Sequence, residues 1–250
     1  MSIQGVGAVR SYECESEIVR ENDLAEYIYE VISGTVCTSR MSSDGRRQIA
    51  GFYFAGDVFG LENAKNHSLT AQAITDVKVR VVKKQALNRL AWSDAKVAQQ
   101  LLSLTAAELA RQQELHLILC RTARERVVYF LIDMAQRASR NENELIDLPM
   151  TRRDIADYLG LTIETVSRML REIERSGAIK IKGRHTVMLR SKSANARVPT
   201  KELRDFFEGV NGHRPKTDQE LNDWLASPEG RAATLFNLTS GSRWAERARS

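Results

Sequence analysis

The chain has 250 residues, of which 42% are hydrophobic and 28% are charged, and its formal net charge is +5. These values are ordinary for a globular protein, and the length allows about two compact domains. No apolar run reaches the roughly 18 residues of a membrane helix. The N-terminus also lacks the basic start and apolar core of an export signal. We therefore expect a cytoplasmic protein without a membrane partner.

The cysteines and histidines do not indicate a metal or cofactor site. The three cysteines, Cys14, Cys37 and Cys120, are widely spaced and odd in number, which excludes a CxxC pair and a disulfide framework. The four histidines have no metal-ligand spacing. We predict no cofactor and no metal, with haem ligation by His67 or His116 left open. Cys120 is expected to be a small buried apolar side chain rather than a redox handle.

Residues 8 to 85 have the composition of β structure. The runs at 26–32 and 34–38 are rich in β-branched and aromatic residues, and residues 78–82 resemble a final strand. Asp44-Gly45, which is flanked by strand-like segments, is a hairpin signal. Many short strands with frequent turns predict a sandwich, a jelly roll or a barrel.

A long helix is predicted from Ser93 to about Leu119, where the chain has neither glycine nor proline. Within it, one series of positions alternates steps of four and three residues, as the seam of a coiled coil does. Such a helix either pairs with a second copy of itself or packs on its own domain, and both interpretations stay open. The seam consists of Ala98, Leu102, Thr105, Leu109, Gln112, His116 and Leu119.

The stretch from Thr151 to Arg171, TRRDIADYLGLTIETVSRMLR, contains two short helical patterns separated by Gly160. Thr151 with Asp154 is a plausible capping box for the first helix. The arrangement is typical of a helix-turn-helix, whose second helix lies in the major groove of DNA. The first pattern is expected to bury Ile155, Ala156 and Leu159, and the second is expected to bury Ile163, Val166, Met169 and Leu170.

Two alternating stretches at 178–182 and 186–190 flank Gly183-Arg184-His185 and predict a hairpin, the wing of a winged helix. Between Met150 and Lys192 there are ten basic and five acidic residues, so this segment accounts for the whole formal net charge. A basic module on a balanced chain is typical of nucleic-acid binding. We expect contacts with the phosphates of double-stranded DNA from Arg152, Arg153, Thr162, Thr165, Lys180, Lys182 and Arg184, with a helix-capping role left open for the two threonines.

This order of a β domain, a long pairing helix and a winged helix resembles the CRP/FNR family of bacterial transcription regulators, and looks closest to its FixK/FnrN branch. The resemblance covers about residues 8 to 192. It implies a homodimeric activator that contacts RNA polymerase in an oxygen-limitation or nitrogen-fixation circuit. No catalytic constellation or P-loop indicates an enzyme. The resemblance is carried by Gly34 to Val36 in ISGTV, Asp44 to Ile49 in DGRRQI, Gly56 to Gly60 in GDVFG, and Leu148 to Leu170 in LPMTRRDIADYLGLTIETVSRML.

The resemblance also implies which side chains read DNA. Glu164, Ser167 and Arg168 would read each half-site of a TTGAT-N4-ATCAA palindrome. The residue types agree, since an arginine can donate two hydrogen bonds to guanine and a glutamate can accept one from the amino group of cytosine. An i,i+4 salt pair between Glu164 and Arg168 is the alternative, and it is compatible with DNA reading.

The chain departs from two branches of this family. The cyclic-nucleotide branch binds phosphate with an Arg-Ser pair, whereas the segment 63–73 that follows Gly60-Leu61-Glu62 contains no arginine. The oxygen-sensing branch holds an iron–sulfur cluster that needs more thiolates than the three cysteines present. We therefore expect neither a cyclic nucleotide nor an intrinsic cluster, and a ligand-gated regulator of the same fold stays an alternative.

The predicted fold class is α+β, with an N-terminal β jelly roll of the cyclic-nucleotide-binding kind, a long dimerisation helix and a C-terminal winged helix-turn-helix. We place the sensor-like β domain at 1–92, the dimerisation helix at 93–121 and the DNA-binding domain at 122–192. A C-terminal extension at 193–250 has the composition of short helices but no motif, and the sequence does not indicate its role.

Overall fold

The N-terminal part of the chain is built from eight short strands. The computed structural model describes residues 7–62, 64–138, 145–176, 179–182, 186–189, 214–217 and 220. The strands are β1 (Ala8–Tyr12), β2 (Glu17–Val19), β3 (Tyr27–Ser33), β4 (Val36–Met41), β5 (Arg47–Tyr53), β6 (Val58–Phe59), β7 (Thr70–Ala73) and β8 (Val77–Lys83).

These strands form two four-stranded antiparallel sheets, in the orders β1-β8-β3-β6 and β2-β7-β4-β5. Alternate side chains of the two sheets meet in one core, which includes Val31 and Val79 from the first sheet and Val36 and Ala71 from the second. Two antiparallel sheets on a common core form the jelly roll that the sequence predicts.

The predicted hairpin at Asp44-Gly45 is confirmed, and it joins β4 to β5. The N–H of Ser42 donates to the carbonyl of Arg46 at 2.8 Å, and Gly45 has a φ of +78°. Because a side chain is strained in this left-handed region, glycine is the residue that suits the turn. The predicted strands at 26–32, 34–38 and 78–82 likewise coincide with β3, β4 and β8.

The helices begin directly after the last strand of the jelly roll. Asp94 is extended and starts the long predicted helix, because its carboxylate accepts a hydrogen bond from the N–H of Lys96 at 2.9 Å. The long helix is therefore confirmed, whereas the separate helix before Asp94 is not predicted from the sequence. The helices are α1 (Lys84–Ser93), α2 (Ala95–Leu119), α3 (Ala123–Ala138), α4 (Arg152–Leu159) and α5 (Ile163–Arg175).

A third sheet contains β9 (Leu145–Asp147), β10 (Ile179–Lys182) and β11 (Thr186–Leu189), in the order β10-β11-β9. The pair β10 and β11 confirms the strands of the predicted wing, and residues 183–185 between them lie outside the described residues. The sequence at 141–148 has the polar composition of a connection, yet β9 lies within it. This strand is defined by its pairing with the distant β11, which local sequence does not reveal.

The chain forms two compact units. The described residues of 1–120 and 152–162 make up the first unit, and those of 121–151 and 163–250 make up the second. Helix α4 therefore belongs to the first unit, where Tyr158 packs against Phe52 of β5 with ring centroids 5.2 Å apart. The predicted segment boundaries stay predictions, and most of the C-terminal extension lies outside the described residues. No helix in the described part of the chain is long and apolar enough to cross a membrane.

Candidate nucleic-acid interface

Helix α4 ends in a turn that depends on Gly160. The φ of this residue is +61°, in the left-handed region where a side chain is strained. The N–H of Leu161 donates to the carbonyl of Ala156 at 3.0 Å and so closes the C-terminus of α4. Helix α5 begins at Ile163, so the two helices are joined by the tight turn that the sequence predicts.

Helix α5 is strongly amphipathic, and its exposed face carries the predicted base readers. Glu164 and Arg168 are exposed one helical turn apart, and Ser167 beside them is half-buried. Among the described residues Arg168 has no ion-pair partner, so the salt pair with Glu164, which is the alternative interpretation, is not formed. The opposite face of the helix buries Val166, Met169, Leu170 and Ile173.

The arginines predicted to contact phosphates near the start of α4 differ in exposure. Arg153 is exposed, whereas Arg152 is half-buried, and burial lowers the pKa of its guanidinium below the ordinary value. Arg153 is therefore the better placed of the two for a phosphate. Thr162 in the following turn is exposed, and Thr165 in α5 is half-buried.

The predicted wing contributes one described cation. Lys180 on β10 is exposed, and the side chain of Lys182 and the whole of Arg184 lie outside the described residues. The N–H of Ile181 donates to Oε1 of Glu174 at 2.8 Å, which ties β10 to α5. The position of Lys180 is thus linked to the helix that carries the base readers.

The expectation that Ile163 is buried is wrong, because its side chain is 39% exposed. Ile163 is the first residue of α5, three positions before Val166, and periodicity alone assigns it to the buried face. N-terminal residues of a recognition helix contact bases, and an apolar side chain can contact the methyl group of thymine. Ile163 is therefore an additional candidate for base contact.

Two further arginines extend the exposed face of α5. Arg171 and Arg175 are exposed, and they follow Arg168 at intervals of three and four residues. This spacing places all three guanidinium groups on one side of the helix. Arg171 and Arg175 are not among the predicted contact residues, although their helical spacing in the sequence is the signal that identifies them.

The three cysteines are free in the structure, and the exposure of Cys120 differs from the expectation. Cys14 and Cys120 are exposed, and Cys37 is buried. The expected burial of Cys120 is wrong because this residue caps the C-terminus of α2 instead of lying within a packed turn. Burial raises the pKa of the Cys37 thiol to about 11.

The predicted seam of α2 is mostly exposed on the single chain. Leu102 and Leu109 are 71% and 59% exposed, which is unusual for leucine side chains. Ala98, Thr105 and His116 are also exposed, and Leu119 is half-buried.

One seam residue and several others instead attach α2 to its own unit. Gln112 donates from Nε2 to the carbonyl of Ala50 at 3.4 Å and to Oε1 of Glu108 at 2.8 Å. Val97, Leu115 and Ile118, which lie off the seam, are buried. Packing on its own domain therefore accounts for one side of α2 and leaves most of the seam uncovered.

The jelly roll, the long helix and the amphipathic α5 define a helix-turn-helix DNA-binding protein. Residues 125–194 match the model of the Crp-like helix-turn-helix domain, and residues 9–94 match that of the cyclic nucleotide-binding domain. The chain is 40% identical over 201 residues to the nitrogen fixation regulation protein FixK of Azorhizobium caulinodans, with 78% of this chain and 81% of that protein covered. It is 36% identical over 186 residues to FixK of Rhizobium meliloti, with coverages of 74% and 84%.

A solved structure also resembles this chain in sequence and in fold. The structure of FixK2 from Bradyrhizobium japonicum is 45% identical, has a TM-score of 0.71, and covers 74% of this chain and 93% of its own. The chain therefore belongs to the CRP/FNR family of transcription regulators, which are not enzymes, and it resembles the regulators of the FixK/FNR type.

Proposed function

We propose that the chain reads a TTGAT-N4-ATCAA palindrome through Glu164, Ser167 and Arg168 of two copies. The exposed pair of Glu164 and Arg168 on α5 is the observation that carries this proposal. Their chemistry suits a cytosine amino group and a guanine edge, respectively. Phosphate contacts that fix the register come from Arg152, Arg153, Thr162, Thr165, Lys180, Lys182 and Arg184.

The proposed assembly is a homodimer that pairs through the seam of α2. Leu102 and Leu109 support this proposal, because a second copy would remove two largely exposed leucines from water. A twofold assembly also suits a palindrome, since two recognition helices then enter major grooves about one helical turn apart.

The proposed physiological role is activation of transcription through contact with RNA polymerase. The name of the Azorhizobium caulinodans relative refers to regulation of nitrogen fixation. This name supports the nitrogen-fixation part of the proposal, which is that the chain acts in an oxygen-limitation or nitrogen-fixation circuit and in the cytoplasm, where bacterial DNA lies. In vitro transcription from a promoter that carries the palindrome, with and without the protein, tests activation directly.

Fluorescence anisotropy with three labelled duplexes tests the DNA-binding proposal. The duplexes carry the full palindrome, one half-site with the other scrambled, and a fully scrambled sequence. We expect two chains per full palindrome, and a preference over the scrambled duplex of roughly 10³-fold or more at physiological salt. Equal affinity for the palindrome and the scrambled duplex contradicts the proposal.

Two substitutions on α2 test the proposed seam. Leu109→Glu places a charge in the seam and should shift the protein to monomers in analytical ultracentrifugation. Leu117→Glu is the matched control, because Leu117 is 64% exposed on the same helix but lies off the seam. Dimers that persist in Leu109→Glu, or an equal loss in both variants, contradict the seam.

A ligand-gated regulator of the same fold is the second candidate function. It is favoured by a cavity of about 370 Å³ in the first unit.

A further inference from the structure

The cavity lies within the first unit, and α2 contributes to its wall. Its volume is about 370 Å³, which is in the range of small-molecule sites. Apolar side chains such as Phe59, Leu61 and Leu109 form much of the lining, and the polar groups include Glu62, His67 and Glu108.

The lining does not fit a cyclic nucleotide, although the domain matches the cyclic nucleotide-binding model. A cyclic phosphate is an anion and needs charged donors. Among the described residues no lysine or arginine lines the cavity, whereas Glu62 and Glu108 bring carboxylates to it. In the segment where the cyclic-nucleotide branch has its Arg-Ser pair, His67-Ser68 is the pair that lines the cavity.

The imidazole ring of His67 has a nitrogen in the cavity region that makes no hydrogen bond among the described residues. The side chain is buried, and Nδ1 is hydrogen-bonded to Oε1 of Glu62. Because a carboxylate only accepts, Nδ1 is the donor in this contact, and a ring that carries a single proton then has its lone pair on Nε2. Nε2 is buried without a hydrogen-bond partner among the described residues. A buried polar atom without a hydrogen bond lowers the stability of the fold unless a ligand or a water molecule donates to it.

Glu108 is the second acceptor. Its Oε1 accepts hydrogen bonds from the hydroxyl of Tyr53 at 3.1 Å and from Gln112 at 2.8 Å. Nη1 of Arg111 lies 3.2 Å from Oε2, but in the described structure Oε2 accepts no hydrogen bond. The carboxylate is therefore fixed in place, with Oε2 ion-paired to the guanidinium of Arg111 but without a hydrogen bond in the described structure.

We propose that this cavity binds a small organic amine, and that His67 is the residue that sets this preference over a cyclic nucleotide. A primary ammonium group supplies a hydrogen bond to Nε2 of His67 and a second one to Oε2 of Glu108 beside its ion pair with Arg111, and a short aliphatic body matches the apolar part of the wall. This binding is independent of DNA, so its test is separate from that of the proposed function.

Isothermal titration calorimetry of the full chain without DNA tests the proposal with three probes. Putrescine is the amine, 1,4-butanediol is its uncharged counterpart of similar length, and cyclic AMP is the anion. We expect saturable binding of putrescine alone. Binding of cyclic AMP to the wild-type chain, or the absence of saturable heat with putrescine, overturns the proposal.

Three variants locate the binding. Glu108→Gln keeps the shape of the side chain and should weaken putrescine binding by roughly tenfold or more. Glu114→Gln is the control, because it removes an exposed carboxylate from the same helix outside the cavity and should leave binding unchanged.

His67→Arg places a guanidinium beside Ser68, and this variant should lose putrescine binding and gain cyclic AMP binding. Circular dichroism checks that each variant is folded. Retained putrescine binding in folded His67→Arg, or an equal loss in both glutamate variants, contradicts the assignment. If Glu108→Gln does not fold, Glu62→Gln takes its place, and full putrescine affinity in that variant is then the contradicting result.

Discussion

Arg47 of the jelly roll donates a hydrogen bond from Nη1 to Oδ1 of Asp154 at 2.7 Å, across 107 positions of the chain. The Asp154 side chain is 9% exposed and that of Arg47 is 24% exposed, so the pair is largely removed from water. Nη2 of Arg47 also lies 3.2 Å from Sγ of Cys37. The first helix of the DNA-binding motif is thus ion-paired to the strand β5 within one compact unit.

Loss of this ion pair should destabilise the first unit. Arg47→Ala removes the guanidinium that is ion-paired to the buried carboxylate of Asp154, and we expect the free energy of unfolding to fall by about 3 kcal/mol. Urea denaturation followed by circular dichroism measures the change. Arg46→Ala is the control, because Arg46 pairs with Asp44 at the exposed surface. Similar stability of the two variants speaks against the role of Arg47.

Asp157 should weaken the fold at neutral pH. Burial raises the pKa of its carboxyl group, and nearby Arg47 only partly offsets the shift. A raised pKa means that the folded state binds the proton more tightly than the unfolded chain does. The ionised form therefore costs stability above this pKa, and the cost disappears as the pH falls below the unfolded value of about 3.9.

The corresponding variant is Asp157→Asn. It should be more stable than the wild type at neutral pH, and the difference should shrink as the pH approaches about 4. Urea denaturation at a series of pH values gives this profile. Asp44→Asn should show the opposite trend at low salt, since Arg46 lowers the pKa of Asp44. A stability difference for Asp157→Asn that grows toward acid pH is incompatible with this account.

Arg168→Ala should lose base discrimination. If Arg168 donates two hydrogen bonds to a guanine, its removal costs about 1–3 kcal/mol per half-site and relaxes the preference at that base pair. Competition binding with duplexes substituted at that position measures the preference. A wild-type preference in the variant would remove Arg168 from the set of base readers.

Arg171→Ala should instead weaken binding without a change in preference. Arg171 is exposed on the same face of α5, beyond the predicted base readers, where a phosphate is the expected contact. The slope of log Kd against log salt concentration should then fall by about one per protomer. Anisotropy titrations over a series of salt concentrations measure the slope, and an unchanged slope rules out the phosphate contact.

Thiol labelling should distinguish the three cysteines. Cys14 and Cys120 are exposed and should react with a maleimide in the native protein at mildly alkaline pH. Burial raises the pKa of Cys37 to about 11, so only a very small fraction is thiolate under these conditions. Mass spectrometry should find two labels on the native chain and three after unfolding. Rapid labelling of native Cys37 disagrees with its burial.

Local periodicity is sufficient to predict many elements of this fold. The β-branched and aromatic composition of β3 and β8, the Asp44-Gly45 turn and the heptad spacing of α2 are all properties of residues that are neighbours in sequence. The helix-turn-helix is predicted for the same reason, since Gly160 and the apolar positions of α4 lie within one short segment. These patterns involve residues that are only a few positions apart, so a single sequence is enough to recognise them.

The remaining features depend on which distant residues meet. The strand β9 exists through its pairing with β11, and the burial of Asp154 depends on Arg47, which lies in another part of the chain. The periodic pattern likewise assigns Ile163 to the buried face, whereas its place at the start of α5 leaves it exposed.

The sequence by itself determined the class of this protein, because the turn at Gly160 and the i,i+4 spacing of Glu164 and Arg168 are local features of one segment. The tertiary structure decided what surrounds them. It placed α4 on the jelly roll and the acceptors of His67 and Glu108 in one cavity wall. Burial and ion pairing depend on contacts between residues far apart in the chain, and no local pattern encodes such contacts.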